Sequence, residues 1–294
     1  MLRRSRQARR SRYPATRTTS KMASFDRPGG RGLFQPSVVG GLPGNPTAFT
    51  VNWGLPILSG LAFLLIPHPA GFYFDVVKRR IAPFFQTSLG VITPITTKFG
   101  LAYQFGLAAG GSFACSAFAD TSLRYPSTGI TIACGAYNQA AIANVTMFFA
   151  LWNDAAFLNS LNLVLQNGGG FPRMAVNVTS NGTNTNVVAS GGAGTTLNTA
   201  GQYMTFAGAY NQAASSILAD YNSSGQGHQT GSGTASGALA NLGTVSISEP
   251  NGGTLNSGRT MTFMAGWNRS LSASELQTVT SYVGGLPPGW LRRR

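Results

Sequence analysis

The sequence predicts an all-β protein, a sandwich or barrel of short antiparallel strands with one short C-terminal helix and an extended basic N-terminal arm. Apolar residues alternate with period two in many short pieces. Gly, Asn and Ser turns separate those pieces, and the chain holds 38 glycines with only 10% charged residues. A single segment has helical spacing together with start and stop signals. At 294 residues there is ample length to bury a core.

Residues 1–31 hold ten Arg and Lys against one acid, Asp26. With few apolar residues they read as an arm, disordered when free. Residues 32–50 read as an irregular lead-in, 51–291 as the sandwich, and Arg292, Arg293 and Arg294 as a basic tail. The body between arm and tail is close to neutral, so the net charge of +14 belongs to the ends.

The run LAFLLI from Leu61 suits a buried strand. In LAYQF, Leu101, Tyr103 and Phe105 share a face. ITIACGA aligns Ile130, Ile132, Cys134 and Ala136, and NVTMFFALW aligns Val145, Met147, Phe149 and Leu151. Met174, Val176 and Val178 align, as do Val245 and Ile247, and in the last strand Met261, Phe263, Ala265 and Trp267. Two low-complexity stretches, TSNGTNTNVVASGGAGTTLNTAG and NSSGQGHQTGSGTASG, read as long surface loops or loose hairpins. Ser272 and Glu275 form a capping box, Leu271 and Leu276 a hydrophobic staple, and Gly284-Gly285 then Pro287-Pro288 stop the helix. So short a helix must dock to be stable, on the sheet that TMTFMAGW leaves.

The heptapeptide GAYNQAA occurs at Gly135–Ala141 and again at Gly208–Ala214. Each copy follows an alternating strand and precedes one ending in an aromatic–Asn pair. Both copies therefore read as turns of similar hairpins, delivering Trp152-Asn153 and Tyr221-Asn222 to a common rim. The sequence between the copies is not repeated, which argues against a solenoid.

MTFMAGWNRSLSASELQTV (Met261 to Val279) resembles the closing segment of concanavalin A-like, laminin-G-like domains, through Trp267, Asn268, Arg269, Leu271, Ser272 and Glu275. KFGLAYQF resembles an upstream strand of that family. VNWGLPILSGL (Val51 to Leu61) is similar to the opening of such domains in tailed-bacteriophage virion proteins. The resemblance spans roughly residues 51–285. It implies a two-sheet antiparallel jelly-roll sandwich that binds carbohydrate or serves as a structural and adhesive module. Fold alone does not fix which.

Glycoside cleavage on such a fold needs two carboxylates flanking the scissile bond. The acids are Asp26, Asp75, Asp120, Asp154, Asp220, Glu249 and Glu275, and no two lie within ten residues of each other. His68 and His228 have no companion motif for zinc or a catalytic triad. The chain therefore reads as a non-enzyme without cofactor or metal; Asp154 and Asp220, the acids best placed for calcium, read as ordinary turn acids. Cys115 and Cys134 read as small buried hydrophobes. The apolar run Leu55 to Pro67 is too short for the roughly 20 residues of a membrane span, and no apolar core follows the basic N-terminus as a signal peptide requires.

For carbohydrate the aromatic–amide candidates are Trp152, Asn153, Asp154, Tyr221 and Asn222, although a core position suits Trp152 equally. For anchoring to an acidic partner they are Arg3, Arg4, Arg6, Arg9, Arg10 and Arg12. The leading expectation is a homo-oligomeric structural protein of a bacteriophage virion, a decoration, tail or fibre module with weak affinity for host glycan and no membrane partner. One alternative is a jelly-roll capsid protein whose arm binds the packaged genome. A third is a glycan-cleaving enzyme, which needs two of Asp120, Asp154, Asp220 and Glu249 to meet in one groove.

Overall fold

The computed structural model describes residues 45–69, 73–82, 85–86, 92–105, 116–123, 128–138, 146–153, 159–168, 171–180, 182–191, 199–235, 237–247 and 259–294. The arm, Cys115, the turn of the first GAYNQAA copy, Asp154 and Glu249 lie outside these residues. The chain divides into two units, residues 1–35 and 36–294, and the description concerns the second.

The strands are β1 (Phe49–Val51), β2 (Leu61–Pro67), β3 (Tyr73–Asp75), β4 (Arg80–Ile81), β5 (Phe85–Gln86), β6 (Ile92–Thr97) and β7 (Gly100–Phe105). Next come β8 (Ser116–Ala119), β9 (Gly129–Asn138), β10 (Thr146–Asn153), β11 (Ser160–Gly168), β12 (Phe171–Ser180) and β13 (Thr183–Gly191). Then follow β14 (Tyr203–Asn211), β15 (Ser216–Ser223), β16 (Gly227–Thr234), β17 (Leu242–Ile247), β18 (Arg259–Trp267), helix α1 (Ala273–Thr280) and β19 (Leu291–Arg293).

Two antiparallel sheets form the sandwich. One has the order β13-β12-β11-β10-β17-β8-β5, the other β16-β15-β14-β9-β18-β2-β3-β4 with β7 and β6 joined to the first half of β18. The expected alternation fills the space between them: Tyr103, Phe105, Ile130, Ile132, Cys134, Ala136, Phe149, Leu151, Val176, Val178, Val245 and Ile247 all lie in one buried core.

The larger sheet is buried on its outer face as well. Leu61, Leu64, Ile66, Ala133, Phe263, Ala265 and Trp267 meet Leu271, Leu276, Val279 and Trp290 there in a second core. Here the sequence reading needs correction. Met261 does not share a face with Phe263, Ala265 and Trp267, because a β-bulge between Met261 and Phe263 flips the side-chain parity. Met261 thus enters the inter-sheet core, whereas the other three face α1. The Trp267 indole stands edge-on to Trp290 at 5.8 Å and donates from Nε1 to the Ile57 carbonyl at 2.9 Å.

Helix α1 starts and docks as its sequence implies. Ser272 caps the Glu275 amide, Glu275 reaches back to the Ser272 amide, and Leu276, Val279 and Thr280 form the buried face. The Arg269 guanidinium binds Glu275 through both terminal nitrogens, at 3.1 and 2.7 Å, and donates from Nε to the Ser59 carbonyl. The Trp-Asn-Arg triplet therefore ties the strand end, the helix start and residues 56–59 together.

Both low-complexity stretches contribute regular strands. β13 pairs with β12, and β16 pairs with β15, as the edges of the two sheets. These edges close on one another: a Cβ at Gly231 would overlap the Val188 carbonyl, and one at Gly233 would lie 2.6 Å from Val187 Cγ2. The glycines read as loop formers are what lets two backbones approach across the edge.

The segment read as lead-in and tail also holds a ladder. β1 and β19 pair antiparallel, Phe49 opposite Arg293 and Val51 opposite Leu291, so Arg292 and Arg293 belong to a two-stranded sheet.

Candidate functional site

The two GAYN copies lie on neighbouring strands, β9 and β14, paired antiparallel with Gly135 opposite Thr205 and Gly208 opposite Ile132. Only the second copy turns a hairpin, β14 to β15. The first is followed by β10, which belongs to the opposite sheet, so the hairpin reading of that copy is corrected to a passage between sheets. Their parity is opposite. Gly208 faces Val176 and Leu163 of the other sheet, and Gly135 faces Phe263 on the outer side. Consequently Tyr210 is fully buried with its hydroxyl on the Gly237 carbonyl, whereas Tyr137 stands half-buried on the outer face.

Tyr137 there meets Tyr203, the first residue of β14, with ring centroids 4.5 Å apart and planes inclined by 31°. Phe99, in the β6–β7 turn, stands edge-on to Tyr203 at 5.1 Å. The Lys98 ammonium lies 4.2 Å from the Tyr203 ring centroid and 4.9 Å from that of Phe99, a cation–π geometry. The Lys98 amide donates to the Tyr203 hydroxyl at 3.1 Å. Gly284, at φ +78°, permits this packing, since a Cβ there would come within 2.8 Å of Tyr203.

Amides flank the rings. The Asn138 amide donates to the Gln202 carbonyl at 2.9 Å and the Gly201 amide to the Asn138 carbonyl at 2.7 Å. Gln202 Nε2 donates to Thr199 Oγ1 at 2.7 Å, and Ser224 Oγ accepts from the Tyr203 amide at 3.1 Å. Gln202 Oε1 is buried and has no hydrogen-bond partner among the described residues. An aromatic stack with amide, hydroxyl and ammonium groups at one strand end can bind a pyranose by its C–H face and its hydroxyls.

The candidates read from sequence lie elsewhere. Tyr221 is fully buried in the inter-sheet core, edge-on to Phe206 at 6.2 Å, because its parity on β15 points it inward. Its ring offers no face to a sugar. Asn222 is half-buried, opposite Thr205 and His228. Trp152 and Asn153 close β10, with Trp152 opposite Ser160 and Thr244; Asp154 lies outside the described residues.

The two aromatic–amide pairs do not share a rim. Trp152 pairs with Ser160, which pairs with Thr179. The neighbouring Ser180 hydroxyl donates to Ala238, beside the Gly237 that holds Tyr210 at the β14–β15 turn. Tyr221-Asn222 lies at the opposite end of β15. The Tyr137–Tyr203 rim escaped sequence reading, although Tyr137-Asn138 was itself an aromatic–amide pair inside the repeated motif.

The described acids are engaged in pairs. Asp75 Oδ1 accepts from the Leu64, Val77 and Lys78 amides, and the Lys78 ammonium lies between Asp75 and Asp120. Both carboxylates are buried, so this contact joins the two sheets and leaves no groove for a glycan between them. Burial pushes the Asp75 carboxyl up. Burial acts the same way on Asp120, but hydrogen bonds from Lys78 and Ser122 outweigh it and hold that carboxyl down. Asp220 accepts from the Thr280 hydroxyl, and both its oxygens lie 2.8 Å from His228 Nε2. The carboxylate stands between hydroxyl and imidazole, so His228 is not placed to activate Thr280 as a nucleophile. Among the described residues no three His, Cys, Asp or Glu side chains cluster as a metal site, and no helix is long and apolar enough to cross a membrane.

No protein-family model matches the chain, and no curated protein matches it in sequence. Its fold is similar to solved structures. The binding domain of Paraclostridial mosquitocidal protein 1 superposes with a TM-score of 0.57 at 10% identity, over 75% of this chain and 52% of that one. The binding domain of botulinum neurotoxin DC in complex with SialylT gives 0.54 at 7%, over 74% and 49%. The same domain with rat synaptotagmin II gives 0.54 at 8%, over 75% and 51%. The chain thus spans about half the length of these domains, and at such identities the likeness establishes the all-β sandwich.

Proposed function

We propose that this chain is a non-catalytic, glycan-binding structural module of a bacteriophage virion. The observation that carries the binding reading is the Tyr137–Tyr203 stack with Lys98, Gln202 and Thr199 around it. The engagement of Asp75, Asp120, Asp220 and Glu275 in internal pairs favours binding over cleavage. The similar solved structures are binding domains, which agrees with this direction. The virion assignment rests on the VNWGLPILSGL resemblance and on the basic arm, whose Arg3, Arg4, Arg6, Arg9, Arg10 and Arg12 anchor the module to an acidic partner.

Purified protein applied to an array of neutral and carboxylate-bearing bacterial surface glycans should be retained on a defined subset, and Tyr137→Ala should weaken that retention on the order of tenfold. No retention on any glycan, or retention indifferent to Tyr137, overturns the binding reading; release of reducing sugar overturns the non-catalytic one. Infectious particles that never contained the protein overturn the virion assignment.

A further inference from the structure

The two-stranded sheet β1–β19 has one guarded edge and one open edge. Arg294 donates its amide to the Ala48 carbonyl and Asn52 to the Trp290 carbonyl, so residues 48, 50 and 52 face 290, 292 and 294. The alternation then turns residues 47, 49 and 51 to one outer edge and 291 and 293 to the other. On the β1 side, Arg79 fills the edge: its guanidinium donates to the Thr47 carbonyl at 2.7 Å and to the Phe49 carbonyl. This plugs an exposed strand edge with a charged side chain. On the β19 side, the outward main-chain groups of Leu291 and Arg293 have no partner among the described residues.

The open edge carries strong charge. Arg292, Arg293 and Arg294 are exposed, and none forms an ion pair with a described acid, since Asp120, Asp220 and Glu275 are paired elsewhere and Asp75 is buried. Trp53, 51% exposed, follows Asn52 at the end of the ladder opposite to Arg294, where the Asn52 side chain donates to the Gly289 carbonyl.

We propose that the β19 edge receives an extended acidic segment of another protein, which adds as a third strand beside β19. Main-chain bonds would come from Leu291 and Arg293, and the segment's carboxylates would meet the arginines. The chain's own arm is a poor occupant, because its ten basic residues would face three more. Nucleic acid is disfavoured too: Arg292 and Arg293 project to opposite faces of the strand, which suits an alternating peptide better than one phosphate track. The proposal is independent of the Tyr137–Tyr203 rim.

The test uses the full chain and a synthetic peptide alternating glutamate and valine. Its binding should slow amide exchange at Leu291 and Arg293 and weaken at least tenfold in the Arg292→Gln/Arg293→Gln/Arg294→Gln variant. Arg293→Gln keeps the outward amide, whereas Arg293→Pro deletes it and spares the inward bonds of residues 292 and 294. The proline variant should therefore bind more weakly than the glutamine variant at unchanged Tm. Equal affinity of these two, or no change in exchange at 291 and 293, overturns strand addition. So do tighter binding of oligodeoxythymidylate of the same charge, and amides already protected without peptide.

Discussion

Tyr203 packs one ring against Tyr137 at 4.5 Å and carries the Lys98 ammonium 4.2 Å from its centroid. Tyr203 thereby positions the stack, while Tyr137 and Lys98 form its flanks. Aromatic pairs contribute about 0.5–1.5 kcal/mol beyond area burial. Tyr137→Ala removes that pair and with it a stacking face for a sugar ring, so it should weaken glycan binding on the order of tenfold and lower Tm, but by less than Tyr203→Ala. Tyr203→Ala should lose binding and stability together, because Phe99 also packs on it. Titration calorimetry alongside thermal denaturation separates the two outcomes. Lys98→Gln should reduce affinity for carboxylate-bearing sugars more than for neutral ones.

Gly231 in β16 faces the Val188 carbonyl of the opposite sheet so closely that any side chain displaces backbone. Overpacking of this kind costs roughly 1–3 kcal/mol. Gly231→Ala should lower stability by that amount in urea denaturation, whereas Ser232→Ala, at the exposed neighbouring position, should change it little. Gly201 provides a contrast. Nothing lies within 4 Å of a Cβ there, but φ is +83°. Gly201→Ala should therefore cost only the left-handed strain of about 1 kcal/mol, acting next to the rim.

How much of this was legible depended on whether the determinant was local. The capping box of Ser272 and Glu275, the staple of Leu271 and Leu276 and the alternation of Ile130, Ile132 and Cys134 could be read directly, because each is decided within a few residues. The fates of Tyr137 and Tyr210 could not. The two sit in identical heptapeptides, and only the register of β9 against β14 sends one outward and the other into the core. Tyr221 was misplaced for the same reason. β13 and β16 read as loops or loose hairpins because small polar residues give no apolar signal; each does form a hairpin with the strand before it, and its regular strand character comes from that partner and from close approach of the two edges.

Glu275 sits where the capping box and the Arg269 clamp coincide. Hydrogen bonding from Arg269 is the main cause that brings its carboxyl down to about 2, and the Ser272 amide and hydroxyl add to it. The folded pKa lies below the unfolded value, so this stabilisation is present above the ordinary carboxylate range and is lost as pH falls toward 2. Glu275→Gln should flatten stability over that acid window in denaturant titrations. Ser272→Ala should cost about 1 kcal/mol at neutral pH through loss of the cap.

Asp220 titrates in the opposite sense. Burial raises its carboxyl above the usual value, and the bonds from Thr280 and His228 only partly offset that. A raised folded pKa means that the folded state holds the proton more tightly than the unfolded chain. The stability contributed by this group is then complete below the unfolded value of about 3.9 and falls as pH rises through the folded one. The carboxylate is kept because it joins α1, through Thr280, to β16, through His228, across the outer face of the larger sheet. Asp220→Asn retains an acceptor for Thr280 and can donate to a neutral imidazole. It should remove the decline in stability above pH 4 and leave the variant at least as stable as the parent at pH 7. Urea denaturation from pH 4 to 8 measures this directly. A variant that stays parallel to the parent across that range would show that Asp220 is ionised throughout and that its burial is fully compensated.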